Sequence, residues 1–520
     1  MSLGIPVALL SPLLFLIGAA LALRSPGRRP GSLPRVAEGL ALGALGAAVA
    51  GLVQFMAAGT TGVSLGSGAL QVALKLDVIG TTMTLLVAFV GWVVVRYART
   101  YLDGESREGA FHGLLMATLA AVLVLVQAGS LLTLVAGFVA VGLGLRNLLL
   151  FYPERPAARR AAAKFTLVWS AGDVVLMLGF VLIGWSLGTA DLAGLKTSAA
   201  DGLSATAHVG VALVVLAAAL KTATFPVHGW LTEVMEAPTP VSALLHAGII
   251  NAGGLLLIRL SDLVQASPGA MGALVMLGGL TALFGATVML TQSAVKTALA
   301  WSTVAQMGFM LLQCGLGLWP LALLHIVAHA LYKAHAFLSS GDAVEAVAAQ
   351  RRPGPVAVPG GAAVARSFAV AVLLYAVVAG AFGLLVGPKS AQALALGVIL
   401  IFGVAYLVAQ GLADAAPRAL TQRTAVAAAM AAVAYFAFHI LAGALWGGAL
   451  PKAPSPGPLE WALIVLALFS FGLVAVAQTL FPLWAHHPAT VGLRVHLANG
   501  LYLNAVLDRL IGGFRIARTQ

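Results

Sequence analysis

Val211-Ala212-Leu213-Val214-Val215-Leu216-Ala217-Ala218-Ala219-Leu220-Lys221-Thr222-Ala223-Thr224-Phe225-Pro226 is the stretch whose reading decides the fold. It sits inside an apolar run from Ala207 to Met235 that is long enough to cross a membrane, and it carries a lysine followed five residues later by a proline. Proline removes a helical hydrogen bond and breaks or kinks a helix. A break at membrane depth is tolerated only where the backbone lines protein or water. A lysine there needs a partner or a water path. The segment predicts both a membrane fold and an ionic task.

The rest of the chain agrees. Of its 520 residues, 61% are hydrophobic and 9% charged, against roughly 25% charged in soluble domains. Too few charges exist to cover a water-facing surface. The single cysteine, Cys314, excludes an internal disulfide framework and a cysteine-held iron–sulfur cluster. No zinc spacing, Walker loop or dinucleotide fingerprint is present, so no cofactor is expected in this chain. The net charge of +12 falls in short loops between apolar runs, a topogenic pattern rather than a nucleic-acid surface.

A helix needs about 20 apolar residues to cross the hydrocarbon core, and fifteen runs qualify. They are Leu3 to Leu23, Val36 to Ala57, Val78 to Val95, Phe111 to Gln127, Leu131 to Leu150, Phe165 to Leu187, Ala207 to Met235 and Val241 to Leu260. Then come Met271 to Leu290, Val295 to Leu312, Trp319 to Phe337, Phe368 to Val386, Ala391 to Gln410, Val426 to Leu445 and Trp461 to Leu483. The first lacks a basic leader and reads as a span rather than a cleaved signal. Alternate loops hold the basic residues: Arg24, Arg28, Arg29 and Arg35, then Arg96, Arg99 and Arg107, then Arg155, Arg159, Arg160 and Lys164. Further on these loops hold Arg351, Arg352 and Arg366, then Arg418 and Arg423, and the tail holds Arg494, Arg509, Arg515 and Arg518. The opposite loops hold only Lys75, Lys196, Arg259, Lys389 and Lys452. The bias places the N-terminus outside and the C-terminus in the cytoplasm. Leu493, Leu497, Leu501 and Val506, interleaved with polar residues, predict an amphipathic tail at that interface.

Few ionisable groups fall inside the spans. They are Asp173 in the sixth, Lys221 in the seventh, His246 in the eighth, Lys296 at the start of the tenth, and His325, His329 and Lys333 in the eleventh. Spacing of four puts the last three on one helical face, about 6 Å apart along the axis. A neutral histidine accepts a proton at one ring nitrogen while donating from the other, so this ladder can relay. Singly, an intramembrane histidine is as readily an interhelical hydrogen-bonder, and Lys296 and Lys333 near span ends can snorkel. As a set they predict an ion path. Glu233 and Glu236 either partner Lys221 or Lys296 or face water. His112, His208, His439, His486, His487 and His496 read as isolated or terminal.

Lys221 through His246, Lys296-Thr-Ala-Leu-Ala-Trp301-Ser-Thr-Val-Ala-Gln-Met-Gly308 and His325-Ile-Val-Ala-His329-Ala-Leu-Tyr-Lys333 resemble the antiporter-like membrane subunits of respiratory complex I and Mrp-type sodium/proton antiporters. The likeness covers about residues 75 to 340 well. It implies an all-α polytopic fold of two inverted five-helix repeats, each with a broken helix at its centre. That divides the chain into residues 1–109 (three N-terminal spans), 110–260 and 261–412 (the repeats), 413–485 (C-terminal spans) and 486–520 (the tail). It also implies that Lys221, His246, Lys296, His325, His329 and Lys333 carry protons, with Asp173 matching the family's Gly-Asp pair.

The departures matter too. In complex I subunits a fifth-span glutamate pairs with the broken-helix lysine, whereas here the stretch reads Gly137-Phe138-Val139, so Val139 stands where the acid is expected. Ser170 replaces an arginine before the Gly-Asp pair, and Lys389, beside Gly387 and Pro388, reads as a loop residue rather than a second central lysine. After the last span the chain leaves no room for the long lateral helix of the largest complex I subunit. Arg146-Asn147-Leu-Leu-Leu-Phe-Tyr-Pro153, Gly229-Trp230, Val234-Met235-Glu236-Ala237, His246-Ala-Gly-Ile-Ile-Asn251 and His496-Leu-Ala-Asn499-Gly500-Leu-Tyr502 are similar to the DabB family of bacterial inner-membrane subunits. That resemblance implies an inorganic-carbon pump in which cation flow, most simply of protons, drives a DabA-like cytoplasmic partner related to zinc β-carbonic anhydrases. The alternative is a proton-pumping subunit of an NADH–quinone oxidoreductase or an Mrp-type Na⁺/H⁺ antiporter.

Overall fold

A backbone in hydrocarbon must satisfy its own hydrogen bonds, so apolar runs of this length fold as helices. The computed structural model describes residues 5–200, 202–341, 360–411, 418–480, 484 and 487–511, with the backbone alone for 406–411 and 418–421. Among them eleven helices are long and apolar enough to span a membrane, and Val7–Leu23, Ala205–Lys221 and Ala391–Ala405 are shorter apolar helices. With Val295–Gly315, each of the fifteen expected spans is met by a helix. The protein is a multi-pass, all-α membrane protein. Arg351, Arg352, Arg515 and Arg518 lie outside the described residues.

Nearly all of the eighth span, Thr239–Arg259, is enclosed by protein, whereas Gly361–Val386 and Pro458–Thr479 are peripheral. Small residues bring helices close where water cannot drive them together. The ninth and tenth spans, Pro268–Met289 and Val295–Gly315, are packed backbone to backbone. A methyl group on Gly278 would sit 2.4 Å from the Leu312 nitrogen, and one on Gly308 would sit 2.4 Å from the Ala282 nitrogen.

Four features depart from the expected plan. The sixth span runs Pro156–Leu187, 32 residues rather than the expected shorter run. At 1.5 Å per residue it is about 48 Å long, so its first turns stand clear of a core about 30 Å thick and carry Arg159, Arg160 and Lys164 outward. The eighth span, read as continuous, is interrupted: Thr239–Ala247 gives way to a 3₁₀ turn at Ile249–Asn251 before Ala252–Arg259 resumes. Conversely, the second central break implied by the family resemblance is not at the twelfth span, since Gly361–Val386 is one unbroken helix without proline. Lys389 follows it in a loop, as Gly387-Pro388 predicts. A β-hairpin of Thr61–Leu65 and Val72–Leu76, pairing Thr61 with Leu76, connects the second and third spans. The tail forms two short helices, Pro488–Ala498 and Leu503–Leu510, joined by a turn in which Leu501 and Tyr502 take φ of 53° and 58°.

Candidate ion path

The seventh helix begins where the Ser204 hydroxyl accepts from the Ala207 amide and ends at Lys221. Its last turn closes as the Thr222 hydroxyl donates back to the Ala218 carbonyl at 2.8 Å. Ala223 then takes φ 51°, left-handed for a residue with a Cβ, so the chain leaves the helical path before Pro226 is reached. This break leaves Lys221 wholly buried. Its ammonium donates to Asp173 Oδ1 at 2.6 Å and to the Trp169 carbonyl at 3.4 Å. It also lies 4.2 Å from the Trp169 ring and 4.7 Å from the Phe138 ring, whose negative faces favour a cation. The Trp169 indole donates to the Phe138 carbonyl at 3.1 Å, fixing both rings. Gly172 leaves room for the lysine stem: a Cβ there would meet it at 3.4 Å.

Asp173 is therefore the counter-ion that the sequence left unnamed. One expectation is corrected here, and one of two open alternatives is set aside. Val139 does not face Lys221; it is 39% exposed on the outer side of the bundle, and its neighbour Phe138 covers the ammonium. One residue is about 100° around a helix, so the aligned position and the facing position differ. Nor do Glu233 and Glu236 partner Lys221 or Lys296. Glu233 binds Lys164 at 3.0 Å and Arg160 at 3.2 Å, and Glu236 lies 3.6 Å from Arg155.

A second group gathers around the tenth and eleventh spans. Lys333, wholly buried, donates to the Leu299 carbonyl at 2.9 Å. The Thr303 hydroxyl donates to the same carbonyl at 3.0 Å and lies 3.1 Å from His246 Nδ1. His246 stacks on Phe337 with ring centroids 4.3 Å apart. His329 lies 5.9 Å from His325 ring to ring. Both nitrogens of His329, and Nε2 of His246 and of His325, are buried with no hydrogen-bond partner among the described residues. Buried polar atoms of this kind are ordinarily satisfied by internal water. Lys296 stands apart, donating to the Thr239 hydroxyl at 3.1 Å, which in turn lies 3.3 Å from the Tyr101 hydroxyl. So the helical ladder of His325, His329 and Lys333 is joined by His246 through Thr303 and Leu299. No hydrogen bond among the described residues ties it to the Lys221–Asp173 pair.

His228 and the tail residues Asn504 and Asp508 were not singled out from the sequence, although the tail itself was. His228, buried two residues after Pro226, packs 4.8 Å from Trp301 and 5.4 Å from Phe284, ring to ring. Its place within the broken segment was the available signal. The tail helix closes over it: Asp508 binds Arg160 at 2.6 Å and Lys164 at 2.7 Å. Asn504 bonds to both Lys164 and Glu233. A Cβ on Gly229 would strike Asn504, at 1.9 Å from its Oδ1, and one on Gly500 would sit 3.3 Å from the Trp301 ring. The tail thus latches onto the far side of the helix break.

Residues 128–352 match the family described as "NADH:quinone oxidoreductase/Mrp antiporter, TM", and residues 63–112 match "NADH-Ubiquinone oxidoreductase (complex I), chain 5 N-terminus". The chain resembles the Mrp complex from Dietzia sp. DQ12-45-1b, with a TM-score of 0.64 at 23% identity over 98% of this chain and 61% of that one. It resembles a membrane-bound sulfane sulfur reductase chain of an archaeal respiratory complex with a TM-score of 0.58 at 17% identity, over 96% and 99%. The fold is thus that of the antiporter-like membrane subunits. Among sequences, a probable inorganic carbon transporter subunit DabB2 of Halothiobacillus neapolitanus is 38% identical over 90% of this chain and 86% of its own. NADH-quinone oxidoreductase subunit L of Mycobacterium tuberculosis is 30% identical over 87% and 72%. The chain belongs to the DabB family within the antiporter-like class.

Proposed function

We propose that this chain is the proton-conducting membrane subunit of an energy-coupled inorganic-carbon pump of a bacterial inner membrane. Its N-terminus lies outside and its C-terminus in the cytoplasm. Protons descend the His325–His329–Lys333 ladder, reach His246 and leave by Lys296. Lys221 and Asp173 form a charge pair whose state is felt at the helix break. Glu233 and Glu236 belong to the cytoplasmic latch and not to the path itself. The partner is a cytoplasmic DabA-like protein related to zinc β-carbonic anhydrases, which hydrates CO₂ while the ion flow makes the step one-way.

The observation that carries the reading is the chemistry of the second group. Two buried histidines, a third that is partly buried and a buried lysine converge with no carboxylate in ion-pair reach of Lys333 among the described residues. A hard metal cation such as Na⁺ calls for oxygen ligands, and an ammonium among imidazoles opposes it. A proton needs only nitrogens and water between them. This favours proton over sodium, and it distinguishes the reading from an Na⁺/H⁺ antiporter. Coupling to the partner runs through the latch, where Asn504 meets Glu233 just beyond the break and Asp508 meets Arg160 and Lys164 on the sixth span.

The test is co-expression with the neighbouring DabA-like gene in a bacterium lacking carbonic anhydrase. Growth in air is expected for the wild type and none for His329→Phe, with the complex still assembled. No growth with the wild-type pair, or full growth with the variant, overturns the reading.

A further inference from the structure

His439 reads as an isolated histidine in the sequence, but the fold gives it a place at one end of the ladder. It lies on the fourteenth span, Arg418–Trp446, half-buried, with Nδ1 buried and unpartnered among the described residues. It lines a cavity of about 510 Å³ together with Lys389, Ser390 and Lys452. Those lysines come from the loops on either side of the thirteenth and fourteenth spans, which the proposed orientation puts outside. One helical turn deeper, Tyr435 is buried, with its ring centroid 6.3 Å from that of His439. Tyr435 lines a second cavity of about 430 Å³, whose other polar residues are Gln306, Gln313 and His325. Leu321 borders both cavities. Gln313 Oε1 and His325 Nε2 are also buried without a partner, so the second cavity has polar atoms in need of water in an otherwise apolar wall. From His325 the ladder descends by about 6 Å per step to His329 and Lys333.

We propose that His439 is the outer proton acceptor of the path, delivering protons past Tyr435 into the cavity that ends at His325. The step balances at the imidazole: one ring nitrogen takes a proton from outer water as the other gives its proton to water on the inner side, and ring reorientation or the reverse tautomer resets it. This deepens the proton-conduction reading above and rests on it. It adds an intake that no part of the eleventh-span motif contains, and places it on the fourteenth span, three spans further along the chain and packed directly against the eleventh.

The test measures proton uptake into right-side-out vesicles holding the full complex, with a pH-sensitive dye inside. His439→Ala is expected to lower uptake by roughly 100-fold, with assembly and Tm unchanged and with uptake restored by imidazole in the outer bath. Imidazole rescue is the readout that a purely structural histidine does not produce. His439→Gln, which keeps polar bonding without carrying a proton, is expected to match His439→Ala and serves if the alanine variant does not assemble. Uptake within twofold of wild type in an assembled variant overturns the proposal, as does a loss that imidazole fails to restore. A wild-type complex with no proton uptake overturns the conduction reading itself, a result separable from the failure of His439 alone.

Discussion

Lys221 and Lys333 are both wholly buried in the same membrane protein, yet they sit in opposite company. Lys221 has a carboxylate at 2.6 Å, two aromatic rings and a carbonyl around its ammonium. Lys333 has the Leu299 carbonyl, the more distant Tyr332 ring at 5.5 Å and a set of histidines of which His246 Nε2, His325 Nε2 and both His329 nitrogens have no protein partner among the described residues. A buried ion pair holds its members: removing either leaves the other stranded. An amine among uncommitted imidazoles has neighbours that can exchange protons with it. The difference separates a lysine fixed in place at a helix break from one poised along a route, and it argues against giving the two halves one mechanism because each contains a lysine.

The sharpest way to break this comparison is to remove one member of the pair. Asp173→Leu strands the Lys221 ammonium and is expected to cost about 3–5 kcal/mol, read as a fall in Tm of the purified chain in detergent. Lys221→Met combined with Asp173→Leu is expected to recover most of that loss while leaving carbon-dependent growth abolished. A single variant that melts like the wild type would show that the pair is not holding the break. Lys333→Met should behave in reverse. It forfeits one hydrogen bond, about 0.5–1.5 kcal/mol, while proton uptake falls by roughly 100-fold; a stability loss as large as that of Asp173→Leu would reveal a counter-ion and erase the contrast. The smallest effect is expected at Glu236→Gln. Its pair with Arg155 is 3.6 Å long and about half exposed on both sides, so less than about 1 kcal/mol should be lost, with growth unchanged.

The spans were legible because lipid imposes a length and a polarity on each helix, and the break was legible because Pro226 follows Lys221. What escaped was tertiary. Asp173 is 48 residues from Lys221 and on another helix, and no spacing rule joins them. Val139 was assigned to Lys221 by alignment, but helical phase turned it outward and Phe138 inward. Gly248 marked the interruption beside His246 only weakly, since membrane helices tolerate glycine for packing. The charged acids Glu233 and Glu236 were visible, but their partners Arg155, Arg160 and Lys164 lie at the start of a helix that outruns the membrane, a length that hydropathy does not register once basic residues begin. His439 looked isolated because its companions come from other spans and loops.

The latch at Asp508 has a consequence in time as well as in space. Arg160 and its acid are 348 residues apart in the chain. At about 10 residues per second, synthesis reaches Asp508 only some tens of seconds after Arg160 has emerged. The fifteen spans described above are already made when Leu503–Leu510 arrives to neutralise Lys164. The corner around Lys164 therefore stays unsealed in a nascent chain until Leu503–Leu510 has emerged.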